Sequence, residues 1–454
     1  MKRFCITAVA ALLCAAVCIT CVALDVNKAK TAVELKENIY HGERAAAYGV
    51  TVENRVHFQN YLFWDTKLVI GKENKVQTEF DFSAVERDTS YFILNEAVHL
   101  YNDIGAGCDY SRPASEQWGI SRAQKHSFDA MEYNSEATFT YFVKDYYKYY
   151  PINVHIDLPT VKIYDDVSGT YTRVQRAFEE FFKIPVKETD YVRVQMAKDE
   201  KGRNISTSEE MDSYVFSPIS AYTADRCFFA ISNRSNSDDT LMDMSLIKGG
   251  YGIYSFSYDA DDHKLYNGIN AESLKTAFPL EESVTVEHLS VSEDNKKLLV
   301  YSREGTSVWL TVINISDMKQ LQKIYVGSFE GVEIFDCKDF SVVSGDEYFT
   351  LLSCRSGEYG IEFSCEHPDF EDIGKSYGIS DSDSMAFDGE RLVCVGKAHT
   401  DYMDTCDFFV RVFNKSGLVY DAVYESSLQK AGEKNDYPCK PVAPKANTVY
   451  FVNK

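Results

Sequence analysis

Positive charge is scarce in this chain of 454 residues. The sequence has 47 Lys and Arg residues against 69 Asp and Glu residues, which gives a formal net charge of −22. Proteins that bind nucleic acid or anionic lipid neutralise phosphate groups with clustered Lys and Arg, and this chain shows no such clusters. The composition therefore argues against a nucleic-acid partner and leaves the N-terminal segment as the one expected contact with a membrane.

The local motifs that mark catalysis are also lacking. The sequence contains no G-x-S-x-G elbow, no H-E-x-x-H pair, no P-loop and no dinucleotide fingerprint. No spacing of Cys and His residues is typical of a zinc site. We therefore expect no cofactor, no metal and no catalytic residue. An extracellular propeller enzyme acting on polysaccharide, a glycosidase or a lyase, stays open as the alternative, because its carboxylates could converge from distant segments.

Apolar material for a core is abundant. Hydrophobic residues make up 45% of the chain and aromatic residues 14%, with 31 Tyr and 28 Phe. Aromatic residues favour strands, so this composition predicts a globular protein rich in β-structure.

The N-terminus has the pattern of an export signal. Lys2 and Arg3 precede an uncharged apolar run from Phe4 to Leu24. That run is longer than the apolar stretch of a typical signal peptide, so residues 1–24 are either a cleaved signal peptide or a retained membrane anchor. Both alternatives predict that residues 25–454 are extracellular or lie at the cell surface.

A turn followed by an apolar strand recurs along the chain. The segments TADRCFFAIS, SEDNKKLLVYS, SGDEYFTLLSC and FDGERLVCVG each place an aspartate before the strand: Asp225, Asp294, Asp346 and Asp388. Weaker copies occur at 86–96 and 134–145, DYVRVQMA at 190–197 could begin another, and the chain ends in an isolated copy, KANTVYFVNK. A repeat of about 40 to 50 residues with four short strands is typical of a propeller blade.

These repeats resemble those of TolB-like and WD40-like bacterial propellers, whose blades carry an S-x-D-G-K-x-aliphatic turn and strand. The likeness is clearest in SEDNKKLLVYS and FDGERLVCVG. The resemblance implies an all-β chain folded as a single β-propeller. We expect seven blades, with six or eight as alternatives, and ring closure by the C-terminal strand. The commonest use of such propellers is docking of a protein or peptide.

Two insertions interrupt the rhythm of the repeats. Residues 106–134 are expected to form a long polar loop. Within residues 165–190 the segment TRVQRAFEEFFKI predicts a short helix that packs on the propeller, because Val174, Phe178, Phe181 and Phe182 recur at helical spacing.

Candidate binding residues lie near these insertions. Tyr146, Tyr147, Tyr149 and Tyr150 follow one another at an expected hairpin tip, and Trp118 lies in the first insertion. Tyr combines a large contact area with a hydrogen-bonding hydroxyl, so an exposed cluster suits recognition of a protein or peptide, with carbohydrate as the alternative ligand. The competing interpretation is that half of these rings cover the edge of a neighbouring blade.

Among the cysteines, Cys394 and Cys406 form the leading candidate disulfide, and Cys354 with Cys365 is a second pair that fits less well. Cys394 and Cys406 flank the polar tip GKAHTDYMD almost evenly, so a hairpin in register would bring them together across two strands. Taken together, the sequence predicts an exported or surface-anchored binding or scaffold propeller and leaves its oligomeric state open.

Overall fold

The computed structural model describes residues 14–17, 20, 33–58, 62–82, 97–158, 162–163, 169–236, 238–259, 268–337, 339–367, 384–398, 406–428 and 448–452. The predicted signal peptide or anchor, residues 1–24, lies almost wholly outside these residues. In the part of the chain that is described, no helix is both long and apolar enough to cross a membrane.

The protein is nearly all β, as the sequence predicted. Its described strands pair antiparallel and form seven sheets. The chain divides into two compact units, residues 1–91 with 330–454 and residues 92–329.

The described residues of the first unit form three sheets. In the spatial order of its strands, one sheet is β27 (Thr448–Phe451), β2 (Val50–Phe58), β3 (Leu62–Val69) and β4 (Lys75–Phe82). Another is β1 (Leu35–Gly42), β26 (Gly417–Ser426), β25 (Phe408–Asn414), β24 (Leu392–Lys397) and β23 (Ser384–Phe387). The third is β19 (Glu333–Cys337), β20 (Phe340–Ser344), β21 (Tyr348–Arg355) and β22 (Glu358–Glu366).

Among its described residues, the second unit contains four sheets and two α-helices, α1 (Gly119–Ala130) and α2 (Gly169–Phe181). Two sheets have three described strands: β5 (Val98–Asn102), β7 (Ile152–Asp157) and β8 (Lys162–Ile163); and β10 (Asn204–Asp212), β9 (Tyr191–Lys198) and β6 (Ser135–Phe142). Two have four: β11 (Ile219–Tyr222), β12 (Arg226–Ala230), β13 (Gly252–Tyr258) and β14 (Ile269–Pro279); and β15 (Thr285–Val291), β16 (Lys297–Glu304), β17 (Ser307–Asn314) and β18 (Lys319–Ser328).

The two ends of the chain pair with each other inside the first unit. The C-terminal strand β27 is antiparallel to β2, with Val50 opposite Phe451 and Glu53 opposite Thr448. Strand β1 is likewise antiparallel to β26, with Leu35 opposite Ser426. Strands near the two ends of the chain are therefore held together by backbone hydrogen bonds.

The recurring aspartates form turns rather than a binding site. In three of the four segments the turn joins the first two strands of a sheet: β11 to β12, β15 to β16 and β23 to β24. Asp294 Oδ1 accepts the hydroxyl of Ser292 at 2.7 Å and the N–H of Lys296 at 3.1 Å. Asp388 Oδ1 accepts the N–H of Arg391 at 2.7 Å. These carboxylates satisfy backbone donors in the manner of an Asx turn.

The remaining copy of the repeat, around Asp346, has a different place in its sheet from the other three. Asp346 lies between β20 and β21, the second and third strands of its sheet. Within the described residues its carboxylate accepts no hydrogen bond. The likeness of SGDEYFTLLSC to the other copies therefore identifies a buried strand correctly and its place in the sheet incorrectly.

The expected helix in the second insertion is present as α2. Val174, Phe178, Phe181 and Phe182 are all buried, as their spacing predicted. The rings of Phe178 and Phe182 lie 5.8 and 5.9 Å from that of Phe229, in a core cluster that also contains Tyr254. Each such ring contributes on the order of 1.5–3 kcal/mol when buried, so α2 is an integral part of this core.

The prediction of a polar loop at 106–134 is wrong, because α1 lies within it. Ile120, Gln124 and Phe128 form the buried face of this helix, and α1 shares a core cluster with β6 and β9. The polar Gln124, whose side chain donates to Glu209 Oε1 at 2.9 Å, interrupts the apolar stripe that would have indicated a helix.

The segment DYVRVQMA begins no separate sheet. It forms β9, which pairs with β6 on one side and with β10 on the other.

Candidate functional site

Two segments of the second unit meet where α1 begins. The N–H of Ile120 donates to the carbonyl of Ile104 at 3.2 Å, and the N–H of Ser121 donates to the carbonyl of Gly105 at 2.6 Å. Trp118 precedes the helix in an extended conformation. These hydrogen bonds fix the backbone next to Trp118.

Two glycines allow aromatic side chains to pack directly on this backbone. A Cβ atom at Gly105 would lie 2.9 Å from Cε3 of the Trp118 indole, and one at Gly119 would lie 2.1 Å from the hydroxyl of Tyr147. Both glycines have a positive φ, 63° and 52°, which glycine adopts without steric cost. Trp118 and Tyr147, 29 residues apart in sequence, thereby pack on adjoining backbone at the start of α1.

The tyrosine tip is anchored by its own backbone. A short 3₁₀ turn, Val143–Asp145, precedes it. The carbonyl of Val143 accepts the N–H groups of Tyr146 at 3.1 Å and Tyr147 at 3.0 Å, and the N–H of Val143 donates to the carbonyl of Asp190 at 2.9 Å. The tip is therefore held to the start of β9 rather than left as an open loop.

The four tyrosines have different environments. Tyr146 is 41% exposed, as Trp118 is 47% exposed. Tyr147 is half-buried, and its hydroxyl donates to the carbonyl of Ile104 at 3.3 Å. Tyr149 is also half-buried, with the Lys148 ammonium 5.1 Å from its ring centroid. We call Trp118, Tyr146 and Tyr147 the aromatic surface.

Tyr150 is a core residue and does not belong to the exposed tip, which corrects the expectation from sequence. It is 2% exposed, and its hydroxyl donates to Asp190 Oδ2 at 2.6 Å while accepting the N–H of Lys187 at 3.1 Å. Burial, and then the hydrogen bond to Asp190, raise the pKa of Tyr150 well above its ordinary value. The fourth ring of the run thus stabilises the fold and offers no contact to a partner.

Carboxylates lie beside the aromatic surface. Burial, and then the negative charge of Asp145, raise the pKa of Tyr146; burial, and then Asp103, do the same for the pKa of Tyr147. The pKa of Asp103 is itself raised, by burial and by Glu179 on α2. Lys144 is paired with Glu188. Exposed rings next to carboxylates suit a cationic partner, because the ring faces and the charges both attract it.

The described part of the chain offers no alternative site for metal chemistry: no group of three or more His, Cys, Asp or Glu side chains within it is arranged to hold a metal ion. The aromatic surface presents two phenol hydroxyls, an indole N–H and three ring faces, which can form hydrogen bonds and apolar contacts with a ligand.

The register of β24 and β25 does not set the two cysteines of the candidate disulfide opposite each other. Strands β24 and β25 pair Cys394 with Arg411, and Lys397 with Phe408. Cys406 precedes β25, so the register displaces it along the strand from Cys394, although both cysteines are buried. The described register thus sets Arg411 rather than Cys406 opposite Cys394, and the disulfide stays a prediction.

Comparisons with known proteins give little beyond this. No family model and no curated protein match the chain. Among solved structures, a chain of the mitotic checkpoint complex is 12% identical over 45% of this chain and 50% of that chain, with a TM-score of 0.25. This chain thus spans half the length of that one.

Two further structures show a similarly weak likeness. The β-propeller domain of Cps50 (Swd1) from Myceliophteria thermophila is 7% identical over 54% of this chain and 93% of that chain, at a TM-score of 0.23. A Synechocystis apocarotenoid oxygenase mutant is 9% identical over 92% of this chain and 96% of that chain, at 0.28. Scores at this level assign neither a fold nor an activity.

The packing of Trp118 against Gly105, and of Tyr147 against Gly119, could not be found from the sequence. Both aromatic residues were candidates by composition, but the hydrogen bonds that bring these two segments together depend on α1, which the sequence pattern concealed. The positive φ of each glycine leaves no trace in a single sequence beyond the glycine itself.

Proposed function

We propose that this protein is an exported or surface-anchored binding module, a seven-bladed β-propeller that engages a cationic protein or peptide through the aromatic surface. The observation that carries the proposal is the exposure of Trp118 and Tyr146 on a backbone held by hydrogen bonds. Aromatic side chains fixed in this way lose little entropy on binding, and they are the commonest anchors of protein interfaces.

The propeller architecture in this proposal is supported by the seven described sheets and by the pairing of β27 with β2. In a closed ring the last blade takes strands from both ends of the chain, which removes exposed sheet edges. Export is supported by Lys2 and Arg3 before the apolar run that ends at Leu24.

The charge of the partner follows from the carboxylates at the site. Asp145 and Asp103 lie beside Tyr146 and Tyr147, and the whole chain carries a formal charge of −22. Like charges repel during encounter, so the partner presents Lys or Arg side chains, and its binding weakens as salt concentration rises.

Photo-cross-linking tests this function in the native envelope. A benzoylphenylalanine at position 146 should form an adduct of one defined mass, whereas the same residue at Tyr325, which is 48% exposed, should form none. Equal adducts at both positions would show non-specific contact. Turnover of a polysaccharide or peptide library by the purified protein would overturn the binding-module function in favour of an enzyme.

A further inference from the structure

A groove lies between α2 and β14 in the second unit, apart from the aromatic surface. Its volume is about 730 Å³, within the range of natural ligand sites. Arg173, Arg176 and Lys183 line one wall, and Lys248 contributes from the loop before β13. The groove thus gathers four cations in a chain of strongly negative charge.

Three of these cations are available to a ligand. The side chains of Arg176, Lys183 and Lys248 are exposed and make no ion pair or hydrogen bond with any residue that the structure describes. Two acidic side chains, Glu180 and Glu272, also line the groove. The four Lys and Arg side chains therefore still outnumber the carboxylates. A groove in which cations outnumber carboxylates attracts an anionic ligand.

Lys248 is placed by a rigid backbone. Its N–H donates to the carbonyl of Phe181 at 3.1 Å, and its own carbonyl accepts the hydroxyl of Thr276 at 3.2 Å. The next residues, Gly249 and Gly250, have φ values of 86° and 81°. The backbone of Lys248 is therefore tied both to the end of α2 and to β14 before any ligand arrives.

The opposite wall of the groove is a strand edge. β14 is the outermost strand of its sheet. Its register with β13 jumps, since Ser255 is opposite Lys275 whereas Ser257 is opposite Asn270. Among the described strands, residues 271–274 have no residue directly opposite on β13, although Ser273 Oγ accepts the N–H of Ser257 at 2.8 Å. The outer edge of β14 has no neighbouring strand among the described residues, and the N–H and C=O groups of such an edge can pair with another chain.

We propose that this groove binds an extended acidic peptide segment. Its carboxylates pair with Arg176, Lys183 and Lys248, and its backbone runs along the edge of β14. From Arg173 to Phe181 the helical rise of α2 spans about 12 Å, the length of about four residues of an extended strand. Main-chain pairing then supplies affinity and the cations select the sequence.

A matched set of labelled peptides tests this proposal by fluorescence anisotropy on the full chain. The probe alternates Glu with Val over about six residues, which is enough to extend past both ends of the span from Arg173 to Phe181. One control replaces every Glu with Gln, a second replaces it with Lys, and a third carries N-methyl groups that block strand pairing. The Glu peptide should bind tightest, and each control should lose about tenfold or more in affinity.

Protein variants locate the site. The pair Arg176→Glu and Lys183→Glu should weaken binding of the Glu peptide by about tenfold or more. The pair Lys201→Glu and Lys296→Glu, which changes net charge equally at exposed positions outside the groove, should leave it within about twofold, since such charges act only through screened solvent. Circular dichroism melting of each variant shows that the fold is retained.

Three results would overturn the proposal: unchanged affinity in the groove variant, equal binding of the Lys peptide, or binding of polygalacturonate with none of the Glu peptide, which would assign the groove to an acidic sugar. Replacement of Trp118 and Tyr146 should leave the Glu peptide bound. The groove and the aromatic surface are thus tested independently.

Discussion

Tyr420 donates a 2.6 Å hydrogen bond from its phenol to Oε1 of Glu37, a residue 383 positions earlier in the chain. The Glu37 carboxylate also accepts from Arg44 Nε at 3.1 Å, Asn74 Nδ2 at 3.0 Å and the hydroxyl of Tyr424 at 3.2 Å. Its side chain is only 5% exposed. One carboxylate therefore joins β1, from the start of the chain, to β26, near its end.

Replacing Glu37 with Gln should destabilise the protein by about 1–3 kcal/mol at neutral pH, because buried donors lose a charged acceptor. Burial alone would raise the pKa of Glu37, but the hydrogen bonds from Arg44, Tyr420 and Asn74, with the charge of Arg44, lower it below its ordinary 4.5. A lowered folded-state pKa gives stability that is present above the unfolded-state pKa and is lost as pH falls through the folded-state value.

Urea unfolding of both proteins from about pH 7 to about pH 3 measures this contribution. The difference between wild type and Glu37→Gln should shrink from about pH 5 downward. A difference that is constant with pH would show that the carboxylate is not ionised in the folded protein.

Substitutions of Tyr150 should lower the stability of the fold, whereas a substitution of Tyr146 should not. Tyr150→Phe removes a buried hydroxyl that bonds Asp190 and Lys187, and should cost about 1–3 kcal/mol. Tyr150→Ser also removes the ring and should cost about 3–5 kcal/mol. Tyr146→Ser, at an exposed position, should change stability by no more than about 0.5 kcal/mol. Thermal melting of the three variants would contradict this account if Tyr146→Ser were as destabilising as Tyr150→Ser.

Asp388 should matter more to the fold than Asp346, although both occupy the same place in the repeat. Asp388→Ala removes acceptors for the N–H groups of Glu390 and Arg391 and for the Arg391 guanidinium, and should cost about 1–3 kcal/mol. The matched variant Asp346→Ala should stay within about 0.5 kcal/mol.

The cost of Asp388→Ala should also depend on pH. Burial alone would raise the pKa of Asp388, but hydrogen bonds from Arg391 and Glu390 outweigh it and hold the pKa below 3.8. The stabilisation is therefore full above about pH 5 and is lost as pH falls through the folded-state pKa. Denaturant midpoints at about pH 7 and about pH 3 measure it, and equal losses at both would contradict an ionised Asp388.

Truncation after residue 444 should destabilise the first unit, because it removes β27 and exposes the edge of β2. Four residue pairs, from Val50 with Phe451 to Glu53 with Thr448, would be lost. We expect a lower melting temperature with a single cooperative transition. A truncated protein that melts at the wild-type temperature would show that β27 adds nothing, and with it the proposed ring closure would fail.

The sequence predicted the β-class, the helix α2 and the strands that follow the repeated aspartates, because alternation and apolar runs are local signals. It misplaced features that depend on register. The strand in SGDEYFTLLSC is the third of its sheet, whereas the repeat predicted the second. The β24–β25 register sets Cys394 opposite Arg411. Neither strand order nor register is encoded in spacing alone.

The candidate site was predictable only by composition. Trp118 and the tyrosines were visible as residues with recognition chemistry, but the sequence could not separate exposed Tyr146 from buried Tyr150, four positions later. Their difference arises from Asp190, 40 residues further along the chain, which supplies a buried acceptor to one hydroxyl. Long-range partners of this kind leave no local pattern.

The affinity of the cross-linked partner for two matched double variants tests the central claim most directly. Trp118→Ala with Tyr146→Ala should weaken binding by about thirtyfold or more in isothermal titration calorimetry, since each anchor is expected to contribute about 1 kcal/mol or more. Tyr222→Ala with Tyr325→Ala, at positions 44% and 48% exposed, should leave affinity within about twofold. Equal effects of the two double variants, or none from the first, would contradict binding through the aromatic surface.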